Sequence, residues 1–155
     1  MKLSDIMIDD AIIPRLKAGT RDEAVRELVQ ALADAGAIPA KNTEEISKAV
    51  IAREAQATTG IGKGVALPHV KLKGIPRPVG TIGRSDEGID FASLDSKPVY
   101  SVILLLSNAD NPDEHLDAME TIFRHVQRDI FRKFLRQSET REAIVDLIRE
   151  ADELT

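Results

Sequence analysis

One histidine closes the run Thr58-Thr59-Gly60-Ile61-Gly62-Lys63-Gly64-Val65-Ala66-Leu67-Pro68-His69. Neutral imidazole is a good nucleophile near pH 7, and phosphorus is the natural electrophile for it. Gly60, Gly62 and Gly64 free the backbone to turn N–H groups toward one point, and Thr58 and Thr59 add hydroxyls, so the run reads as a donor-rich loop able to cradle an anion. A glycine cluster alone is more often a tight connection than a binding loop. The Walker A spacing is absent, since Val65-Ala66-Leu67-Pro68 stands where a helix would start, and so is G-x-G-x-x-G; neither supports a nucleotide site.

Two further groups converge on this run by helical phasing. On the helix that begins at Asn42-Thr43-Glu44-Glu45, Ile46, Ala49, Val50 and Ala57 form the apolar side, and Arg53 falls within the same arc. A buried guanidinium requires an anion, permanent or transient. His115 lies in the first turn of a later helix, at the edge of a stripe of Leu116, Met119, Phe123, Val126 and Ile130, and is expected to face inward, whereas His125 is expected to face water. For His115 the bland alternative is a satisfied, half-buried histidine. A metal site would combine His69, His115 and a carboxylate, but no H-E-x-x-H or cysteine spacing supports one. Ser101 and Ser107 lack a nucleophile elbow. The basic run from Arg124 through Arg128, Arg132, Lys133 and Arg136 reads first as a solvated helix face and second as a docking surface for an acidic partner.

The elements that must position these groups are legible in outline. Thr20-Arg21-Asp22-Glu23 is a capping box, and its helix stops at Gly36 and Pro39. Val65 to Leu67, Val79 to Ile82 and Pro98 to Leu106 read as strands, the last apolar on both alternations and therefore central. Pro68 ends or edges a strand, leaving His69 at a strand end. Asn111-Pro112-Asp113-Glu114 starts a third helix, another starts near Ser138 or Thr140, and a short strand is expected at Ala11 to Ile13. The fold class expected is α/β (α+β), one domain over residues 1–155, with a mixed central sheet flanked by helices on both faces.

At 155 residues the chain is long enough for one core without staples, and zero cysteines exclude disulfides and thiolate metal sites. A cytoplasmic address is expected, with no secretory leader and no apolar run of membrane-spanning length. With 21 basic against 26 acidic side chains, small molecules or proteins are expected as partners, not nucleic acid or a membrane.

Ala52-Arg53-Glu54, the run Thr58 to His69, Gly88-Ile89-Asp90-Phe91 and His115-Leu116 together resemble the type-2 EIIA domain of the phosphoenolpyruvate-dependent sugar phosphotransferase system, in its fructose, mannitol and nitrogen-regulatory branch. The likeness runs from about residue 3 to residue 151. It implies a phosphocarrier without cofactor, in which His69 accepts phosphate from phospho-HPr and passes it to an EIIB cysteine on another chain. It also implies that His115 hydrogen-bonds the phosphoryl group and that Arg53 lies near it. The alternative within the family is a regulatory module whose phosphorylation state selects protein partners. Lys63 and Val70 depart from the family pattern: Lys63 is expected to make the pocket more electropositive, and Val70 to alter partner access.

Overall fold

The longest apolar run of the sequence becomes the centre of the fold. In the computed structural model, which describes residues 1–154, strand β5 (Val99–Asn108) is buried from Ser101 to Ser107. It carries a neighbour on each edge. Strands β2 (Val65–Ala66) and β3 (His69–Leu72) lie end to end along one edge, both parallel to β5, and β4 (Val79–Ile89) pairs antiparallel along the other. Strand β1 (Gly60–Gly62) folds back antiparallel on β2, so the sheet is mixed as expected.

Helices cover both faces. Helices α2 (Arg21–Asp34) and α3 (Thr43–Gln56) cover one, burying Val25, Leu28, Leu32, Ile46 and Val50 against Val102, Leu104 and Leu106. The short α1 (Leu3–Ile6), α4 (Pro112–Val126), α5 (Asp129–Gln137) and α6 (Arg141–Glu153) cover the other, against Ile103 and Leu105. The period-2 alternation of β5 thus feeds two separate cores. The capping signals hold: Thr20 accepts from the Glu23 amide at 3.3 Å and returns its hydroxyl to the Glu23 carboxylate at 2.8 Å, and Asn111 Oδ1 accepts from the Glu114 amide at 3.3 Å.

Four expectations are corrected. Residues Asp9–Ala11 form a 3-10 turn and, of the expected strand, only Ile13 bridges, to Gly83, because the turn interrupts a segment that touches the β4 edge at Met7 and again at Ile13. The helix expected to run on through the basic segment breaks between α4 and α5, where Gln127 and Arg128 separate them. On α4 the buried face is rotated by roughly one residue step, ~100°: Ala118, Thr121, Ile122, His125 and Val126 are inside, while Leu116 is 55% and Phe123 38% exposed. His125 is therefore buried, at 2% exposure, against Phe131 with ring centroids 5.8 Å apart. Finally, Ala57 is exposed and extended, having left α3, and Glu54 takes the inner position, buried to 2%.

Candidate active site

His69 is the first residue of β3, and Pro68, with no N–H to give, marks the break between β2 and β3. His69 Nδ1 lies 2.7 Å from the Leu67 carbonyl oxygen. A carbonyl only accepts, so Nδ1 must carry the proton and the Nε2 lone pair is free. Burial lowers the His69 pKa below the ordinary 6.5; the Leu67 carbonyl opposes this, Arg53 lowers it further, Glu54 raises it and Lys71 lowers it. The ring is neutral at pH 7 and presents one defined nucleophilic atom.

His115 comes from the first turns of α4, above the same face of the sheet. Its Nδ1 lies 2.8 Å from Ser107 Oγ on β5, and its ring centroid is 5.7 Å from that of His69. Burial first, then the charges of His69 and Lys71, push its pKa down to about 4. The Ser107 hydroxyl can donate or accept here; in the tautomer where it donates to Nδ1, the neutral ring carries its proton on Nε2, a donor for an anion on His69. The pairing of His69 with Leu105 and of Lys71 with Ser107 puts His69, Lys71 and Ser107 on one face by strand alternation. Lys71 and Ser107 were not singled out for this site from the sequence, although a count of two along each strand would have found them.

Arg53 sits in the last turn of α3, half-buried, with Nη1 donating to the Ala57 carbonyl at 3.0 Å. It makes no ion pair among the described residues. After burial, its charge is one of the causes that lower the His69 pKa. Glu54, one residue on, is the group that the helical phasing missed: its two oxygens accept from the Thr59 amide at 2.6 Å and the Thr59 hydroxyl at 2.5 Å. This carboxylate anchors the segment leading from α3 to β1.

The glycine run is a β-hairpin and not an open cradle. Gly62, Lys63 and Gly64 turn it at φ 94°, 59° and 81°, and Asp95 Oδ2 accepts the Lys63 amide at 2.9 Å. The Thr58 hydroxyl donates to the Phe91 carbonyl at 2.6 Å and accepts from the Gly60 amide at 3.0 Å, while the Thr59 hydroxyl is spent on Glu54. Gly60 packs so closely on Ser93 that a Cβ there would meet Ser93 Oγ at 2.3 Å. Of the five residues expected to form a phosphate loop, Thr58 and Thr59 stand at the open end of the hairpin, where the Thr59 carbonyl accepts from the Leu67 amide, Gly60 pairs with Ala66, and Gly62 and Lys63 are carried to the far end. Lys63 lines a groove beside α5 instead. The expected gain in positive charge from Lys63 is therefore not made at His69, where the nearby cations are Arg53 and Lys71. Val70 points to the other face of the sheet, packing on the α2–α3 core, so its bulk does not stand over His69.

The fold and this histidine pair define a class: an α/β domain that presents a neutral, tautomer-fixed imidazole at the end of an edge strand. The chain belongs to the family described as "Phosphoenolpyruvate-dependent sugar phosphotransferase system, EIIA 2", whose model matches residues 5–151. It is 34% identical to a nitrogen regulatory protein of Bradyrhizobium diazoefficiens, over 96% of this chain and 95% of that protein. It is 30% identical to the fructose-specific EIIABC component of Bacillus subtilis over 98% of this chain, which spans only 24% of that longer protein. Among solved structures, the nitrogen regulatory protein IIA-Ntr of Neisseria meningitidis superposes with a TM-score of 0.83 at 23% identity, covering 94% of this chain and 98% of that one. The Escherichia coli complex of mannitol enzyme IIA with phosphorylated enzyme IIB gives 0.73 at 18% identity, over 94% and 99%.

Proposed function

We propose that this chain is a phosphoryl carrier that takes phosphate from phospho-HPr onto His69 Nε2 and gives it to a cysteine of an EIIB protein. The observation that carries this reading is the 2.7 Å contact between His69 Nδ1 and the Leu67 carbonyl, which dedicates Nε2 to the chemistry. The Nε2 lone pair attacks phosphorus in line; the bond to the donor nitrogen breaks and the donor imidazole leaves with its electron pair. Arg53, Lys71 and the Nε2–H of His115 spread the charge on the three equatorial oxygens. In the second half an EIIB thiolate attacks the same phosphorus, the His69 N–P bond breaks, and the lone pair returns to Nε2. The Nδ1–H bond to Leu67 is kept in both halves, so no proton has to move on His69.

A second destination for the phosphate has its own support. The likeness to the Bradyrhizobium nitrogen regulatory protein extends over 95% of that protein's length. On that reading, the phosphorylation state of His69 selects regulatory protein partners by changing the charge at the end of β3.

Incubation with phosphoenolpyruvate, Enzyme I and HPr should place an acid-labile phosphoryl group on His69. Its absence there, under conditions that label a control EIIA, overturns the proposal. Onward transfer to EIIB, compared with state-dependent capture of a regulatory protein, separates the two destinations.

A further inference from the structure

At the end of the molecule away from His69, the basic segment of α5 and the tip of the β1–β2 hairpin face each other across a groove of about 610 Å³. Arg132, Lys133 and Arg136 line it from α5 and Lys63 from the hairpin, together with Asp129, Gln137 and Glu139. The Gly64 carbonyl accepts from the Tyr100 and Ser101 amides, whereas His69 stands opposite Leu105. Four residues of strand, roughly 13 Å, therefore separate the hairpin from the histidine pair.

Three features set this groove apart from a solvated helix face. Four cations meet two carboxylates on a chain whose formal charge is −5. Arg132 is paired with Asp129, but Lys63 and Lys133 have no ion-pair partner among the described residues, and the Arg136 guanidinium lies 3.6 Å above the Tyr100 ring, also without a carboxylate. Second, the scaffold is fixed: buried Arg84 donates to the carbonyls of Arg136 and Pro14, tying the end of α5 to the sheet. Third, Lys63 has φ 59°, a left-handed conformation that costs a side-chain-bearing residue ~1 kcal/mol and that glycine or asparagine adopts more readily. Strain of this kind points to a use for the side chain.

We infer that this groove binds a small molecule bearing a pyrophosphate group. Arg136 offers a forked donor to phosphoryl oxygens and Lys63 and Lys133 add point charges from opposite walls, while Arg132, spent on Asp129 and the Val126 carbonyl, contributes charge alone. Three cations without a carboxylate partner among the described residues match the charge of two adjoining phosphoryl groups better than that of one. The inference does not rest on phosphoryl transfer at His69.

Calorimetric titration of the unphosphorylated full chain with inorganic pyrophosphate at low salt tests it, with orthophosphate as the weaker comparison. Lys63→Gly together with Lys133→Ala should weaken pyrophosphate at least about tenfold, and His69→Ala should leave binding unchanged. Lys63→Gly alone should weaken binding while holding or raising the melting temperature, because it relieves the left-handed lysine; a purely structural lysine would not separate the two readouts. Lack of pyrophosphate binding at about 1 mM, full binding by the double variant, or loss of binding in His69→Ala each overturns the inference. A groove that takes only an acidic protein segment falls under the first of these results.

Discussion

The His69 and His115 rings lie 5.7 Å apart, and each has its Nδ1 already engaged, by the Leu67 carbonyl and by Ser107 Oγ respectively. The two Nε2 atoms are thus the ones left without a hydrogen bond among the described residues. Neither hydrogen bond is local to its own ring alone: one is set by the strand break at Pro68, the other by a serine from a different element.

The two hydrogen-bonding positions of His69 can be separated by substitution. Asn places an amide near the Nδ1 position and Gln near the Nε2 position. Both should abolish labelling from phospho-HPr, and His69→Asn should be the more stable by ~1 kcal/mol because its amide still donates to Leu67. Urea unfolding alongside the phosphorylation assay checks this.

Ser107→Ala should slow phosphoryl acceptance by roughly tenfold, since the His115 ring loses the hydrogen bond that holds its orientation toward His69. Because Ser107 is fully buried, loss of the bond should also cost ~1 kcal/mol of stability. Stopped-flow transfer and thermal melts read the two effects separately.

Phosphoryl acceptance should fall in acid with a midpoint below the ordinary histidine pKa of 6.5, because burial lowers the His69 pKa. An acceptance profile with its midpoint at or above 6.5 would contradict this. NMR titration of His115 should give a midpoint near 4 in the free protein. That midpoint should rise once His69 carries a dianionic phosphoryl group, which favours imidazolium.

The same shifts govern acid stability. A histidine whose folded pKa lies below its unfolded value takes up protons more readily when unfolded, so stability is fully present above about 6.5 and drains as pH falls toward the folded pKa. His69, His115 and His125 are all lowered and all act in this direction. His115→Gln should flatten the fall in urea midpoint between pH 6.5 and about 4.

Glu54→Gln should destabilise the chain by ~1 kcal/mol, since a neutral amide replaces the charged acceptor of both Thr59 hydrogen bonds and the Thr59 hydroxyl must turn round to accept from its NH2. Without the Glu54 charge, the His69 pKa should move lower still. A melt and a histidine titration of one variant decide both.

The fold was legible where one signal dominated. Val102 to Leu106 is apolar on both alternations, and β5 is buried on both faces. Thr20 and Asn111 cap the helices assigned to them. Helical phasing was less decisive where a helix carries two apolar arcs. On α4 the bulkier Leu116 and Phe123 set the expected stripe, but Ala118, Ile122 and Val126 fit the sheet and carry Thr121 and His125 inside with them. Phasing on α3 likewise admitted Arg53 and overlooked Glu54, whose burial depends on Thr59, five residues later.

The chemistry at the end of β3 follows the same division. By itself, the sequence determined that a histidine follows a proline at the end of an apolar run and that Arg53 and His115 stand on helices able to reach it. Those are consequences of periodicity and of proline's missing N–H. Only the tertiary structure decided which ring nitrogen is free, that Lys71 and not Lys63 is the lysine beside His69, and that the threonine hydroxyls are spent on the backbone and on Glu54. Hydrogen bonds across elements and the hairpin register decide these points, and both depend on residues far apart in the chain that periodicity cannot pair.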